Sequence, residues 1–284
     1  MNSPNLAPPD TTTRFAPADD GWRAQLALRF RPRGARTELT GRRHFGPLTV
    51  QRPFFPEGAP AHIYLLHPPG GVVGGDRLHL DVRLEEGSHA LLTMPGATKF
   101  YRSAGPTAYL EQHFHVAAGA TLEWLPQDGI LFPGARLRLE SRFHLEPGAR
   151  LLAWETLCLG RPVMGEAFDS GRLDSLLAVE RGGDPLLHER LRLDGGRLDK
   201  LAGLPLLATF LVAPGSAALL ELAREQLAGL PQPAGATLLD DYLLVIRLLD
   251  ADNQRLQATL QRLWHALRPA VTGLAPCPPR IWAT

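Results

Sequence analysis

Cysteine is nearly absent from this 284-residue chain: Cys158 and Cys277 stand far apart and in no paired spacing. That excludes a disulfide framework and a cysteine zinc knuckle, and it suits a reducing cytoplasm. Lysine is equally scarce, with Lys99 and Lys200 alone, so arginine carries nearly all the positive charge. No sign of charge dominates. Thirty Lys and Arg against 29 Asp and Glu leave a formal net charge of +1, without the basic excess of a nucleic-acid binder. The longest apolar stretch, Leu201 to Ala213, contains Gly203 and Pro205 and is too short to span a bilayer. Residues Met1 to Asp20 are rich in Pro, Thr, Asn and Asp, with no basic start leading into an apolar run. They read as a disordered tail, not a signal peptide. The catalytic signatures HExxH and an ordered Ser/His/Asp set are missing, as is the nucleotide-binding fingerprint. A cytoplasmic protein is expected.

With 44% hydrophobic residues the chain can bury a large core. From Trp22 to about Leu193 the dominant period is two. It is clear in Trp22–Phe30, Leu78–Leu84, Leu110–Val116 and, most strictly, Leu137–Leu145. Strict alternation places one face on a core and the other in water, as in half-buried strands. Between these runs lie Gly and Pro punctuators such as Glu86-Gly87, Ala118-Gly119, Pro133-Gly134 and Pro147-Gly148. The phrases beginning at Gly119, Gly134 and Gly148 repeat Gly-Ala-x-Leu at nearly even spacing, which suggests stacked strand layers in a sandwich or β-solenoid. After Leu201 the pattern changes. Ser216 to Gly229 and Asn253 to Leu267 carry apolar residues at helical spacing, and Arg268-Pro269 reads as the end of the second helix. Asp240 to Leu249 between them reads as an apolar strand. The expected plan is mainly β: an elongated stacked-sheet or solenoid-like body over 21–200, followed by an α/β cap over 201–284 with about two helices.

Four segments stand out. His67 to Asp76 holds two Gly-Gly pairs around Val-Val and closes on a carboxylate; it lacks the Lys and Ser/Thr of a phosphate loop and leads into a strand. A structural inter-strand loop is the leading reading, and a binding loop the alternative. In Thr93 to Ser103, Lys99 and Arg102 either hold an anion or form a contact surface. Within Glu123 to Ala135, Asp128 is a turn former before Gly129 or a placed ligand. In Trp154 to Phe168, Glu155 and Glu166 flank an apolar strand with Arg161 between them. They are either a carboxylate pair for acid–base or cation chemistry, or partners of that arginine. His113 and His115 alternate onto one strand face with Glu111, a spacing open to a metal or to solvent. Cys158 reads as a buried small residue.

These segments resemble a known family. His67–Asp76, Gly96–Ser103, Leu125-Pro126-Gln127 with Ile130–Ala135, Gly160-Arg161 with Gly165-Glu166, and the ending Pro279–Thr284 are similar, in order, to the urease accessory protein UreD family (UreH in some bacteria). Where the family usually has Glu after Leu-Pro-Gln, this chain has Asp128, which keeps the charge but shortens its reach. The resemblance implies an elongated, mostly β fold with C-terminal helices and no catalysis of its own. It implies binding to UreF, which recruits the GTPase UreG, and docking of that assembly on apo-urease to deliver nickel to a dinickel centre.

A path for an ion in transit needs weak, replaceable ligands, because a tight site would trap its cargo. Asp76, Asp128, Glu155 and Glu166 are the expected contributors, with nickel passing through and no cofactor tightly bound. The alternative is a β-rich hydrolase using Glu155 and Glu166 as acid and base. A scaffold should also expose apolar surface, and the C-terminal segment with Trp264 and Trp282 is one candidate contact for UreF.

Overall fold

The computed structural model describes residues 21–283, so the expectation for Met1–Asp20 lies outside the described residues. Four of the predicted alternating segments become strands of a single sheet: Arg23–Arg33, Arg77–Leu84, Ala108–Val116 and Arg136–Leu145. They lie side by side and parallel, joined at one edge by Arg172–Arg181 and then antiparallel Asp184–Asp194, and at the other by antiparallel Arg36–Phe45. Their apolar positions point inward and their Arg, His and Glu positions face solvent, which is why the sequence alternates.

The chain winds between this seven-stranded sheet and a second, longer one. Strands Ala61–Leu66, His89–Thr93, Thr121–Trp124 and Arg150–Arg161 form the parallel part of the second sheet. His89 faces Thr121 and Thr121 faces Arg150, each step one coil farther along. The Gly-Ala phrases mark this winding. Those at Gly119 and Gly148 open successive strands of the long sheet, while the one at Gly134 opens the intervening strand of the other. The β-solenoid-like expectation therefore holds: even spacing arose because each phrase begins a half-coil.

The long sheet continues antiparallel through Leu206–Ala213, Leu243–Asp250 and Ala234–Leu239. Its inner face meets the seven-stranded sheet in a core that includes Phe30, Phe114, Phe143, Leu122 and Leu151. Its outer face is covered by helices α1 (Ala217–Leu227) and α2 (Asn253–Thr272), which bury Trp154, Phe210, Ile246, Leu260 and Trp264 against it. Strands covered on both faces do not alternate: Leu151, Leu152, Ala153 and Trp154 are all buried.

Side-chain caps start both helices. The Ser216 hydroxyl accepts from the Leu219 amide and the Asp252 carboxylate from the Arg255 amide. Helix α2 does not stop at Pro269. It runs on to Thr272 and ends at Gly273 in the left-handed conformation. Proline removes only one amide so close to the end, and Arg268, fully buried, ties that last turn to the sheet. Trp264 is likewise inside the molecule, and the half-buried Trp282 stacks on Trp154, so this pair fills the helix–sheet seam instead of presenting a contact surface. Among the described residues, no helix is long and apolar enough to cross a membrane.

Candidate functional site

The four segments singled out in the sequence meet at one corner of the coil. A short ladder branches from the long sheet, made of Gly71-Val72, Thr98–Phe100, Gly129–Leu131 and the Leu157–Leu159 part of the long strand. Val72, Phe100, Leu131 and Leu159 stack rung upon rung, all buried. The glycines of the first segment serve this stacking. A Cβ on Gly71 would stand 2.1 Å from the Tyr101 ring, and one on Gly74 2.3 Å from the Ser103 hydroxyl. Lys99 is an exposed rung of this ladder.

Beside this ladder, between the sheets, is a cavity of about 70 Å³. Leu65, Leu78, Leu80, Leu110 and Leu139 give it apolar walls; His67, Gln112, Gln127, Glu155 and Thr156 give it polar ones. Three buried polar atoms of its lining have no hydrogen-bond partner in the protein: Trp124 Nε1, Glu155 Oε1 and Thr156 Oγ1. Unpaired buried groups of this kind cost roughly 1–3 kcal/mol each, so they mark a site where something polar belongs. Burial raises the Glu155 carboxyl to about 7, with the neighbouring Ser141 hydroxyl pulling it down and Glu189 pushing it further up.

The other three predicted acids flank the same ladder but are engaged differently. Both Asp76 oxygens accept backbone amides, from Trp22 at 2.8 Å and from Val73 at 2.9 Å, so this buried carboxylate closes the glycine loop. Asp76 also lies close enough to His67, in the cavity wall, to raise its affinity for a proton, although burial dominates and lowers it. Asp128 sits between two cavity-lining residues, Gln127 and Gly129, and its own oxygens accept from Asn253 at 2.8 Å and Gln257 at 2.6 Å. It thereby docks the first turn of α2 onto the ladder. Glu166 is part-exposed and grips Arg161 through both oxygens, while that guanidinium lies over the Phe132 ring.

Glu155 and Glu166 do not form a working pair. Glu166 is opposite Arg161, six residues along the extended strand from Glu155, or roughly 20 Å at the usual rise. Acid–base partners flanking one bond stand within about 10 Å, so the hydrolase alternative loses its geometry. Cys158 is buried, and burial, with Asp128 nearby, pushes its thiol up to about 12, far from the range of a nucleophile. His113 and His115 do lie on the outer face of the seven-stranded sheet, joined there by His79 and His144.

Sequence reasoning missed a second buried polar centre, behind the long sheet. Glu123 is fully buried and accepts from Trp264 Nε1 at 2.7 Å and from the Arg268 guanidinium at 3.0 to 3.1 Å. Its Oε1 also bonds His89 Nε2 at 2.8 Å. Arg268 reaches on to Glu57 at 2.7 Å, which bonds His62 at the same distance. Burial by itself would raise Glu123, but the His89 and Arg268 bonds outweigh it and hold the carboxyl at about 2. The signal was a Glu inside an apolar strand and an Arg on the apolar face of a helix, 145 positions apart.

This coil, ladder and cavity can be set beside known proteins. The model of the family described as "UreD urease accessory protein" matches residues 23–283. The chain is 70% identical over 267 residues to the urease accessory protein UreD of Pseudomonas entomophila strain L48, covering 94% of this chain and 96% of that one. It is 54% identical to the protein of the same name from Enterobacter sp. strain 638, over 93% and 96% of the two chains. The identity is 51% with that of Klebsiella pneumoniae subsp. pneumoniae, over 96% and 99%. A match running through every coil and both helices places this chain in the UreD family of urease accessory proteins.

Proposed function

We infer that this protein acts in the cytoplasm as a scaffold for nickel insertion into apo-urease, and that its interior conducts the ion. The observation that carries this is Glu155: one carboxylate, without a protein partner for Oε1, in a cavity whose walls are otherwise mainly apolar. A single carboxylate with Gln and Thr neighbours is a weak ligand set, suited to a divalent cation that must leave again. Asp76, Asp128 and Glu166 lie along the same ladder and form the rest of the proposed path, two of them in contact with segments that line the cavity. The chain carries no phosphate loop, so the energy for directed transfer comes from a partner. UreF, and through it the GTPase UreG, are the partners proposed. Val73, Tyr101, Val163 and Met164 are exposed near the ladder and offer apolar contact area there.

The test is reconstituted activation of apo-urease at limiting nickel, with partners present and the metal content of urease measured. Glu155→Gln should leave the protein folded and its complexes intact, while urease nickel falls at least about tenfold, as expected for loss of a key ligand. Full metallation by Glu155→Gln, and by the alanine variants of the other three acids, would sink the interior path.

A further inference from the structure

Away from the cavity, three donor atoms of different chemistry converge. Glu57 precedes the strand Ala61–Leu66, His62 lies in it, and Cys277 follows α2. Their carboxylate oxygen, imidazole nitrogen and thiol sulfur all lie within 4.8 Å of one another. His62 is buried, Glu57 nearly so, and Cys277 is half-buried. None of the three lines the cavity that holds Glu155.

The three are held there by contacts of their own. His62 Nε2 and Glu57 Oε1 are 2.7 Å apart, with one proton between them. The Arg268 guanidinium donates to the carbonyl of Ala275, two residues before Cys277, and the Arg280 amide donates to the Tyr64 hydroxyl at 3.2 Å. The segment carrying the thiol is thus tied to the body on both sides, and Pro276, Pro278 and Pro279 stiffen it.

Charge also favours a cation. Glu57 and Glu123 share one guanidinium, Arg268, so with His62 and His89 neutral one negative charge is in excess. A Cys277 thiolate would make two, and a divalent ion would neutralise them.

We propose that Glu57, His62 and Cys277 form a three-ligand site for a borderline divalent ion of the zinc, cobalt and nickel class, which staples the C-terminal segment to the body. One oxygen, one nitrogen and one sulfur are the donors such ions accept, with a fourth position left to water. Binding releases the thiol proton to solvent, while His62 stays a neutral imidazole with its proton on the nitrogen that does not ligate.

Cobalt(II) added to the reduced full-length chain provides the probe. A thiolate-to-cobalt charge-transfer band should saturate at one equivalent. Cys277→Ser should abolish the band and weaken cobalt binding by more than about tenfold, while Cys158→Ser leaves both unchanged and Glu155→Gln keeps the thiolate band. Because His62 is buried, Glu57→Gln is the second ligand variant, with its thermal midpoint measured without metal to show that it is folded. A folded wild-type chain without the band at one equivalent, or a band that survives Cys277→Ser, would overturn the site. Loss of the band in Glu155→Gln would overturn its independence from the transit cavity.

Discussion

Two glutamates on neighbouring strands of one sheet have opposite fates. Glu123 points toward the helices, where Arg268, Trp264 and His89 fill its lone pairs, and it stays ionised down to about pH 2. Glu155 lies against the cavity between the sheets, is left with Oε1 unpaired, and holds its proton up to about 7. Residue type is the same, and although Glu123 is the more deeply buried, it is the partners that set them apart. A buried carboxylate with a full set of donors is a clasp, and one without them is a place prepared for something else.

The comparison can be broken most directly at the clasp. Arg268→Ala strands Glu123 and Glu57 in the interior and should cost about 3–5 kcal/mol in urea denaturation. A loss under about 1 kcal/mol would mean that the network contributes little. Its pH signature follows from the lowered carboxyl: the stabilisation is complete above the usual 4.5 and drains away as pH falls toward 2. Glu123→Gln should therefore flatten the acid limb of the stability curve.

At Glu155 the sign reverses. The folded state binds a proton that the unfolded chain releases near 4.5, so this group's contribution falls as pH rises from 4.5 to about 7 and is level beyond. Glu155→Gln should stabilise the protein at pH 8 by on the order of 2–3 kcal/mol and leave it unchanged at pH 4. Equal stability of the two at pH 8 would show that Glu155 is solvated and not poised.

Asp128 tests an intermediate case, a buried carboxylate paired only with neutral amides. Asp128→Ala releases Asn253 and Gln257 and should cost about 1–3 kcal/mol, with hydrogen exchange accelerated in the first turn of α2. Glu166→Ala, at the surface, should leave the thermal midpoint unmoved, because exposed ion pairs add little. A large drop there would make the Arg161–Phe132 stack a structural element.

Legibility in the sequence followed solvent. The strands read most cleanly, Leu78–Leu84 and Leu137–Leu145, belong to the sheet with one wet face, where alternation is imposed by water. Ala234–Leu239 went unseen because Pro231, Pro233 and Gly235 mask a short edge strand. Pro269 misled because a proline one turn from a helix end is tolerated when the turn is anchored.

The sequence by itself determined the coil: period-two strands, glycine corners at half-coil spacing, two capped helices and the motifs of the family. It could not assign its acids. Asp76, Asp128, Glu155 and Glu166 look alike in one dimension, and only the winding showed which of them meet amides, an arginine or an empty-walled cavity. The physical reason is that a carboxylate's behaviour is set by donors and dielectric within a few ångströms, and for Asp128 and Glu123 those donors come from residues more than a hundred positions away.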